Sequence, residues 1–526
     1  MRNGTNAVGA VAFSLLMISS MIVGGVAVSA GEVTAQSPGL YAGGDGTVDD
    51  PYKISNWTHL NNTRQNLDAN FTLVSELNES LDDYDDHANE TANSEKGWIP
   101  IGKDPAFTGS LNGSGYAISG LFINRTEDNE VGLFGEIGSS GSVEHVAMTD
   151  VQVTGNAEVG GLVGRFKGDT ISDTSVTGTV TSTVTGDART GGLAGVFSGT
   201  EITDSFADVH VKALTGKRIG GLVGEVIRED ESPPPGADPY KYTLIAKSSA
   251  TGAVHGSDRV GGLVGQLRNK AQITDSTASG YVNGSGNIGG LVGYSYGNVS
   301  YSTATGDANG TNYVGGLVGY MNRDGPDPVI VGSTASGNVD GEDYVGGALG
   351  GTGAGGGGPT PIRIEDTTAT GIVTGENYTG GLAGELDNRV DKITDSDADG
   401  TVSGVNYVGG LVGWNLGTVS SSTVSGQVTG TDYVGGIAGA AGSNISSVTV
   451  TNDVTGANYT GGIVGEYGGG TVELTDATST GTVSGDWYVG GLIGDMGSEG
   501  ISMATVGTIS SSEATGAVDG EAYVGG

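Results

Sequence analysis

Residues 313–319 read Tyr-Val-Gly-Gly-Leu-Val-Gly, and the same string returns from Tyr407, with close variants VGGLVG from Val260 and YVGGIAG from Tyr433. Two adjacent glycines between bulky apolar residues weaken a strand, because glycine loses the most backbone freedom on folding and packs no side chain. They serve where the chain must bend sharply or bulge, or where a second backbone comes close. Gly315 and Gly316 are therefore expected to turn a corner, so that Val314, Leu317 and Val318 fill a narrow interior. The pattern leaves open which of Leu317 and Val318 points inward. Gly319 closes the motif, and Gly409, Gly410, Leu411 and Gly413 repeat it.

Aligned on the double glycine, thirteen copies run from Gly160-Gly161 to Gly525-Gly526, with VGLFG from Val131 as a degenerate first copy. Their spacing is about 26 to 35 residues, with one interval of about 41, within the range of solenoid repeats. The unit ITDSTASGYVNGSGNIGGLVGYSYGN from Ile273 contains three short apolar or β-branched runs separated by Gly, Asn and Ser. No run is long enough for a helix and the glycine content opposes one, which predicts three short strands per unit. Repeated, this gives an all-β, β-helix-like solenoid in which each coil pairs with its neighbours at about 4.8 Å, for a stack of roughly 60 Å. The competing reading of so much glycine is a disordered low-complexity chain. Recurrence of aliphatic residues at one phase argues against it.

The formal charge of −38, from 60 acidic against 22 basic residues, excludes a basic groove and disfavours nucleic acid or an anionic lipid surface as partner. Self-repulsion on this scale is relieved by molar salt, where the Debye length falls to about 3 Å, or by cations bound at the acidic surface. Brine is the favoured setting, with an acidic, divalent-cation-binding secreted protein as the alternative. With no cysteine, disulfides, thiolate metal sites and cysteine nucleophiles are excluded.

Residues 1–30 combine Arg2, an apolar run from about Ala7 and the small-residue pattern Val28-Ser29-Ala30, which reads as a secretory signal peptide with a retained membrane anchor as the alternative. An extracellular or cell-surface location follows, and no other stretch is apolar enough to span a bilayer. Export makes the N-x-S/T triplets candidate glycosylation sites: Asn56, Asn61, Asn70, Asn78, Asn89, Asn112, Asn124, Asn283, Asn298, Asn309, Asn377, Asn444 and Asn458. Residues 31–97 differ from the repeats and read as a small mixed N-terminal cap. Trp57, Leu60, Arg64 and Leu67 fall near helical spacing behind Ser55 or Asn56 as N-cap, and FTLVSEL reads as a strand. Such a cap covers the unpaired edge of a first coil. The run LDDYDDHANE from Leu81 misses the calcium-loop spacing and its glycine, so a solvated acidic loop is expected.

The recurrent G-G-L-x-G, as in Gly315-Gly316-Leu317-Val318-Gly319, resembles the GLUG repeat of bacterial and archaeal surface proteins, which also occurs beside the catalytic region of some immunoglobulin-cleaving metallopeptidases. The resemblance runs from about Trp98, through WIPIG and FTGSLNGSGYAISGLFINR, to Gly526, so residues 98–526 form the repeat region. The acidic, cysteine-free version is similar to those of salt-loving archaea. Departures occur at GGALGG from Gly346 and in GTGAGGGGPTP from Gly351, where an irregular coil is expected.

Chemistry is sparse. A zinc peptidase of the kind that sometimes accompanies these repeats needs H-E-x-x-H, and none of His59, His87, His145, His210 or His255 begins that motif. GYSYG from Gly293 matches G-x-S-x-G but lacks the strand-to-helix context of a nucleophile elbow. No helix with a Lys follows the repeat glycines, so they do not form a phosphate cradle. Asp173, Asp204, Asp275, Asp366, Asp395 and Asp476 share one phase, where other coils carry Ser421, Ser447 and Ser511. Paired carboxylates could serve a carbohydrate-active enzyme, but acids that belong to the repeat fit a solvated turn better. Stacking in register would set Asp173 against Asp204 and Asp366 against Asp395.

The insertions VIREDESPPPGADPYKYTLIAK from Val226 and YMNRDGPDPVI from Tyr320 are expected to be projecting loops suited to partner contact. The leading reading is an exported, non-enzymatic surface stalk, spacer or adhesion module without cofactor, meeting cell-surface glycans or proteins. A carbohydrate-active solenoid, or the repeat part of a larger enzyme, is the alternative. A chain ending inside YVGG is expected to be truncated, since solenoids need a polar capping coil, and no membrane anchor is visible in it.

Overall fold

A computed structural model describes residues 39–213, 215–227, 243–268, 270–324, 328–353, 360–468, 472–496 and 507–526. The segment read as a signal peptide and most of the insertion after Val226 lie outside these residues. Leu40–Gly526 forms one compact unit.

A regular coil carries five short strands, as in Asn312–Gly315, Val318–Asn322, Val329–Val331, Thr334–Ala335 and Val339–Asp340. Each pairs in parallel with its counterparts in the coils before and after. The strands fall into two 13-stranded sheets and one 39-stranded sheet that also takes in the strands of the cap. The excess over the three strands expected arises on the broad sheet. A left-handed residue such as Gly332 (φ 59°) and the Ser336-Gly337 turn cut one long face into pieces. In earlier coils two pieces merge, as in Ser175–Ser182 and Phe206–Lys212.

The first glycine of each pair ends a strand of one narrow sheet, and the second glycine with the following leucine makes the corner into the other: Gly315 closes one strand, and Val318 opens the next. The bend is thus Gly316-Leu317. Both Leu317 and Val318 are fully buried, as are Val314 and Leu411. A Cβ on Gly315 would collide with the Val318 carbonyl, and one on Gly319 would lie 2.5 Å from the Ile288 nitrogen. One on Gly316 would meet the Gly347 carbonyl and the Ala335 methyl. Gly409, Gly410 and Gly413 meet the same obstacles three motifs later, including Val412, Gly436 and Tyr378. The two narrow sheets therefore touch backbone to backbone, and the aliphatic residues fill what interior remains. Val314 stacks between Ile288 and Val345, and Ile330 between Val299 and Ile364. Each buried side chain of this kind contributes about 1.5–3 kcal/mol.

The cap is continuous with the broad sheet. Tyr52–Ile54 pairs with Asn70–Leu73, which pairs with Ser110–Asn112, all in parallel. The helix Trp57–Asn62 starts where Asn56 accepts the His59 N–H (2.8 Å) and continues as a single 3-10 turn, Thr63–Gln65, ending before Leu67. In the acidic run from Leu81, Asp83 accepts the Thr58 N–H at 2.7 Å and so ties the run to that helix.

The irregular coil has a packing reason. Tyr320 occupies the space above Gly353 that a side chain there would fill, and a Cβ on Gly351 would approach the Tyr313 ring at 3.0 Å. The glycines in the described part of that insertion make room for tyrosines of the preceding coil.

Candidate functional site

Four rows of side chains run along the outside of the stack. The first is the aspartate row. Asp173, Asp204, Asp275, Asp366, Asp395 and Asp476, together with Ser421, Ser447 and Ser511, all hold φ between 44° and 52°. Left-handed backbone disfavours residues with a bulky Cβ substituent and is best tolerated by Gly, Asn and Asp, so the turn itself selects short polar residues. His145, Lys247, Tyr301 and Gly332 take the same place in other coils, also at positive φ. The in-register neighbours expected from the repeat are present. The Asp173 N–H donates to the Thr203 carbonyl (3.1 Å) and that of Asp366 to Thr394 (3.2 Å), which sets each beside the next aspartate. His145 lies 3.7 Å from Asp173. Among the described residues no group of three or more His, Asp or Glu is arranged to hold a metal ion.

Directly behind that row is a ladder the sequence reading missed, although the last letter of ITDS carried its signal. Ser205 donates its hydroxyl to the Thr203 carbonyl (2.8 Å) and accepts the Thr174 N–H (3.3 Å). Ser276 does the same with Thr274 (2.8 Å) and Ser248 (3.2 Å). Thr174, Ser248, Ser302, Ser333, Thr367, Ser396 and Ser422 are likewise buried. The pair Asp-Ser is therefore a turn device: the first residue supplies the left-handed bend and the second satisfies the backbone groups it frees.

The second row lies along the double-glycine corner and has two halves. Its N-terminal half is ionic. Glu158 accepts from Arg165 Nε (2.9 Å) and Arg189 Nη1 (2.9 Å), while Glu225 accepts from Arg189 Nε (2.6 Å) and Arg268 Nε (2.7 Å). Arg259 then lies over the Tyr294 ring at 4.9 Å, where the ionic half meets the aromatic one. From there Tyr313, Tyr344, Tyr378, Tyr407, Tyr433, Tyr459, Tyr488 and Tyr523 stack face to face, with centroids 4.5–5.2 Å apart and planes inclined 4–9°. All eight hold left-handed backbone. Trp414 packs edge-on against Tyr407 at 82°.

Glu385 sits beside this aromatic row, and burial with Asp387 nearby pushes its carboxyl up to about 7. Glu130, in the ionic half, is also raised, first by burial and then by Glu158. Between these coils Arg323 is buried. It donates to Asp391 (3.1 Å) and Thr352 (3.1 Å) and pairs with Asp387. Burial raises the Asp391 carboxyl, with Arg323 pulling the other way. This is the described part of the insertion from Tyr320, and its arginine turns inward as a staple across three coils.

The third and fourth rows are made of asparagines, one with Asn377, Asn406 and Asn458 on a narrow sheet and one with Asn283 and Asn309 on the broad sheet. Asn377 donates its side-chain amide to Asp343 (2.8 Å) and accepts from Asn406 (2.9 Å); Asn458 donates to Asp432 (2.6 Å), Asn309 to Asp340 (3.2 Å) and Asn283 to Asn309 (3.0 Å). Of the other acceptor triplets, Asn112 donates to Glu144 (2.8 Å), Asn70 to the Gly46 carbonyl (3.1 Å) and Asn89 to Asp85. Asn56, Asn61 and Asn78 use their side-chain oxygens as local acceptors. Asn298 is half-buried, and Asn124 and Asn444 are exposed. Ser295 of GYSYG faces the interior, donating to the Gly297 carbonyl at 3.0 Å.

Comparison with known proteins agrees with the coil boundaries. The family described as the GLUG motif matches residues 256–283, 284–309 and 404–429. Halomucin of Haloquadratum walsbyi is 36% identical over 143 residues, covering 26% of this chain and 2% of that protein. A Gly-rich protein of Evansella cellulosilytica, provisionally assigned as a membrane protein, is 40% identical over 135 residues, 24% of this chain and 15% of the relative. The matched segments thus span only a small part of either relative's length. A crystal structure of a candidate immunoglobulin A1 protease from Bacteroides ovatus aligns with 69% of this chain and 80% of its own, at 15% identity and a TM-score of 0.30. The chain carries GLUG-motif repeats, stacked as the coils of a parallel β-solenoid and shared over about a quarter of its length with halomucin.

Proposed function

We propose that this chain is a non-enzymatic stalk, spacer or adhesion module of the cell surface, exported by its N-terminal segment and working in concentrated salt. The observation that carries the reading is that the aspartates, serines, tyrosines and asparagines on the exterior are properties of the repeat. Each has a structural reason to recur at its phase, such as the left-handed turn of the aspartate row. The similarity to halomucin supports the same direction. Cell-surface glycans or proteins are the proposed partners along the aromatic half of the corner row, and cations are the proposed counter-charge of the aspartate row.

A spacer tolerates loss of a whole coil. Deleting Asn406–Thr431 joins Val405 to Asp432, the residue paired with Asn406 in the next coil, so the register closes again. Tagged wild-type and deleted chains should both reach the cell surface and be labelled by antibody on intact cells. Recovery of the wild-type chain in the cytosol would sink the reading.

One observation favours the enzymatic alternative: Glu385 is held toward its protonated form near neutral pH with Asp387 close by. Polysaccharide cleavage by the purified chain that disappears in Glu385→Gln would replace the spacer reading with that one.

A further inference from the structure

N-linked sugars attach to the side-chain nitrogen of asparagine, so the folded position of that atom separates the thirteen triplets. In Asn283, Asn309, Asn377 and Asn458 the nitrogen is donated to a side chain of a neighbouring coil, to a carboxylate in three of the four. A carboxylate is an acceptor only, which fixes the nitrogen toward it. These residues stand in rows whose neighbours lie one coil spacing, about 4.8 Å, above and below. Asn377 is held on both sides, giving to Asp343 and taking from Asn406. A sugar ring is broader than that spacing, so a glycan there would have to part the rungs. Asn124 and Asn444 differ. Both are exposed. Asn124 ends a strand, and its backbone N–H is satisfied by the Lys96 carbonyl (3.0 Å). Asn444 uses only its side-chain oxygen, accepting the Glu473 N–H at 3.0 Å, which leaves its nitrogen facing solvent.

We infer that Asn124 and Asn444 are the glycan-bearing asparagines of this chain, and that Asn283, Asn309, Asn377 and Asn458 stay bare because they serve as rungs holding adjacent coils in register. The assignment rests on the export proposed above. It places sugar near the cap and again on the late coils, with the two rows of amide rungs kept clear.

The test uses the full chain expressed in a host that modifies exported proteins at N-x-S/T, with glycopeptide mass spectrometry of the exported material. The expected result is sugar on Asn124 and Asn444 and unmodified peptides covering the four rungs. Asn124→Gln and Asn444→Gln should each remove one glycan without lowering the Tm of the enzymatically deglycosylated protein. Asn377→Leu should lower the Tm while leaving the glycan count unchanged. Sugar on any rung, or an exported chain bare at Asn124 and Asn444, overturns the assignment alone. A chain retained inside the cell overturns both the assignment and the export on which it rests.

Discussion

The rings of Tyr407 and Tyr433 lie 4.7 Å apart with planes inclined 6°, although both residues hold left-handed backbone, φ 55° and 56°. That conformation costs a bulky residue about 1–2 kcal/mol, and an aromatic pair returns about 0.5–1.5 kcal/mol beyond its buried area. Each interior tyrosine belongs to two such pairs, so the row offsets the strain that no single tyrosine would.

The order of three substitutions follows. Tyr407→Phe keeps the stack and should change stability little. Tyr407→Ala loses both stacked neighbours and the edge contact with Trp414 and retains the left-handed backbone, for a loss of about 2–3 kcal/mol. Tyr407→Gly loses the rings but releases the strain, and should fall between them. Urea unfolding of the three variants checks the order. Alanine no worse than phenylalanine would remove the argument that stacking stabilises this bend.

A second expectation concerns the threonines that replace valine before the double glycine. Thr190, Thr379 and Thr460 are fully buried, and their hydroxyls have no hydrogen-bond partner. In the neighbouring coil Val345 places a methyl group over Gly341 where Thr379 places its hydroxyl over Gly375. Thr379→Val and Thr460→Val should therefore each stabilise the chain by about 1 kcal/mol, since a buried unpaired hydroxyl is exchanged for a methyl of the same shape. A lowered urea midpoint in either variant would contradict this.

Much of this architecture was legible in the glycine pairs, because a backbone-to-backbone corner excludes every other side chain and so writes itself into the sequence at each coil. The number of strands per coil was not. It depends on left-handed residues inside the broad face, and Asp, Ser, Lys, His and Tyr all occupy that place, so no single letter marks it. The tyrosine stack was visible as a recurring letter before VGG, but its geometry depends on register between coils, which single-unit reading does not supply. The Arg323 staple joins residues separated by 64 and 68 positions, and nothing local announces it.

The aspartate row gives a salt prediction. Asp366 and Asp395 sit on adjacent coils at the same turn, and like charges at that separation are destabilising until screened. Asp395→Asn keeps a residue tolerant of φ near 50° and removes one charge. It should stabilise the chain by about 0.5 kcal/mol in dilute buffer and by nothing measurable in molar KCl. Thermal melts at the two salt levels decide it; an equal effect in both would show that charge is not the cause.

Glu385 sets the sign of the pH dependence. Burial, with Asp387 adding to it, raises its folded value to about 7 from an ordinary 4.5. The folded chain thus favours the protonated carboxyl, and the associated stability is fully present below pH 4.5 and is lost as pH rises through about 7. A shift of this size corresponds to roughly 2–3 kcal/mol once partial solvent contact is allowed for. Glu385→Gln carries no titrating group at that place, so its stability should decline less between pH 5 and 8 than that of the wild type. Parallel pH profiles for the two proteins would mean that the carboxyl titrates as an ordinary surface group and that its place beside Tyr344 and Tyr378 is well solvated.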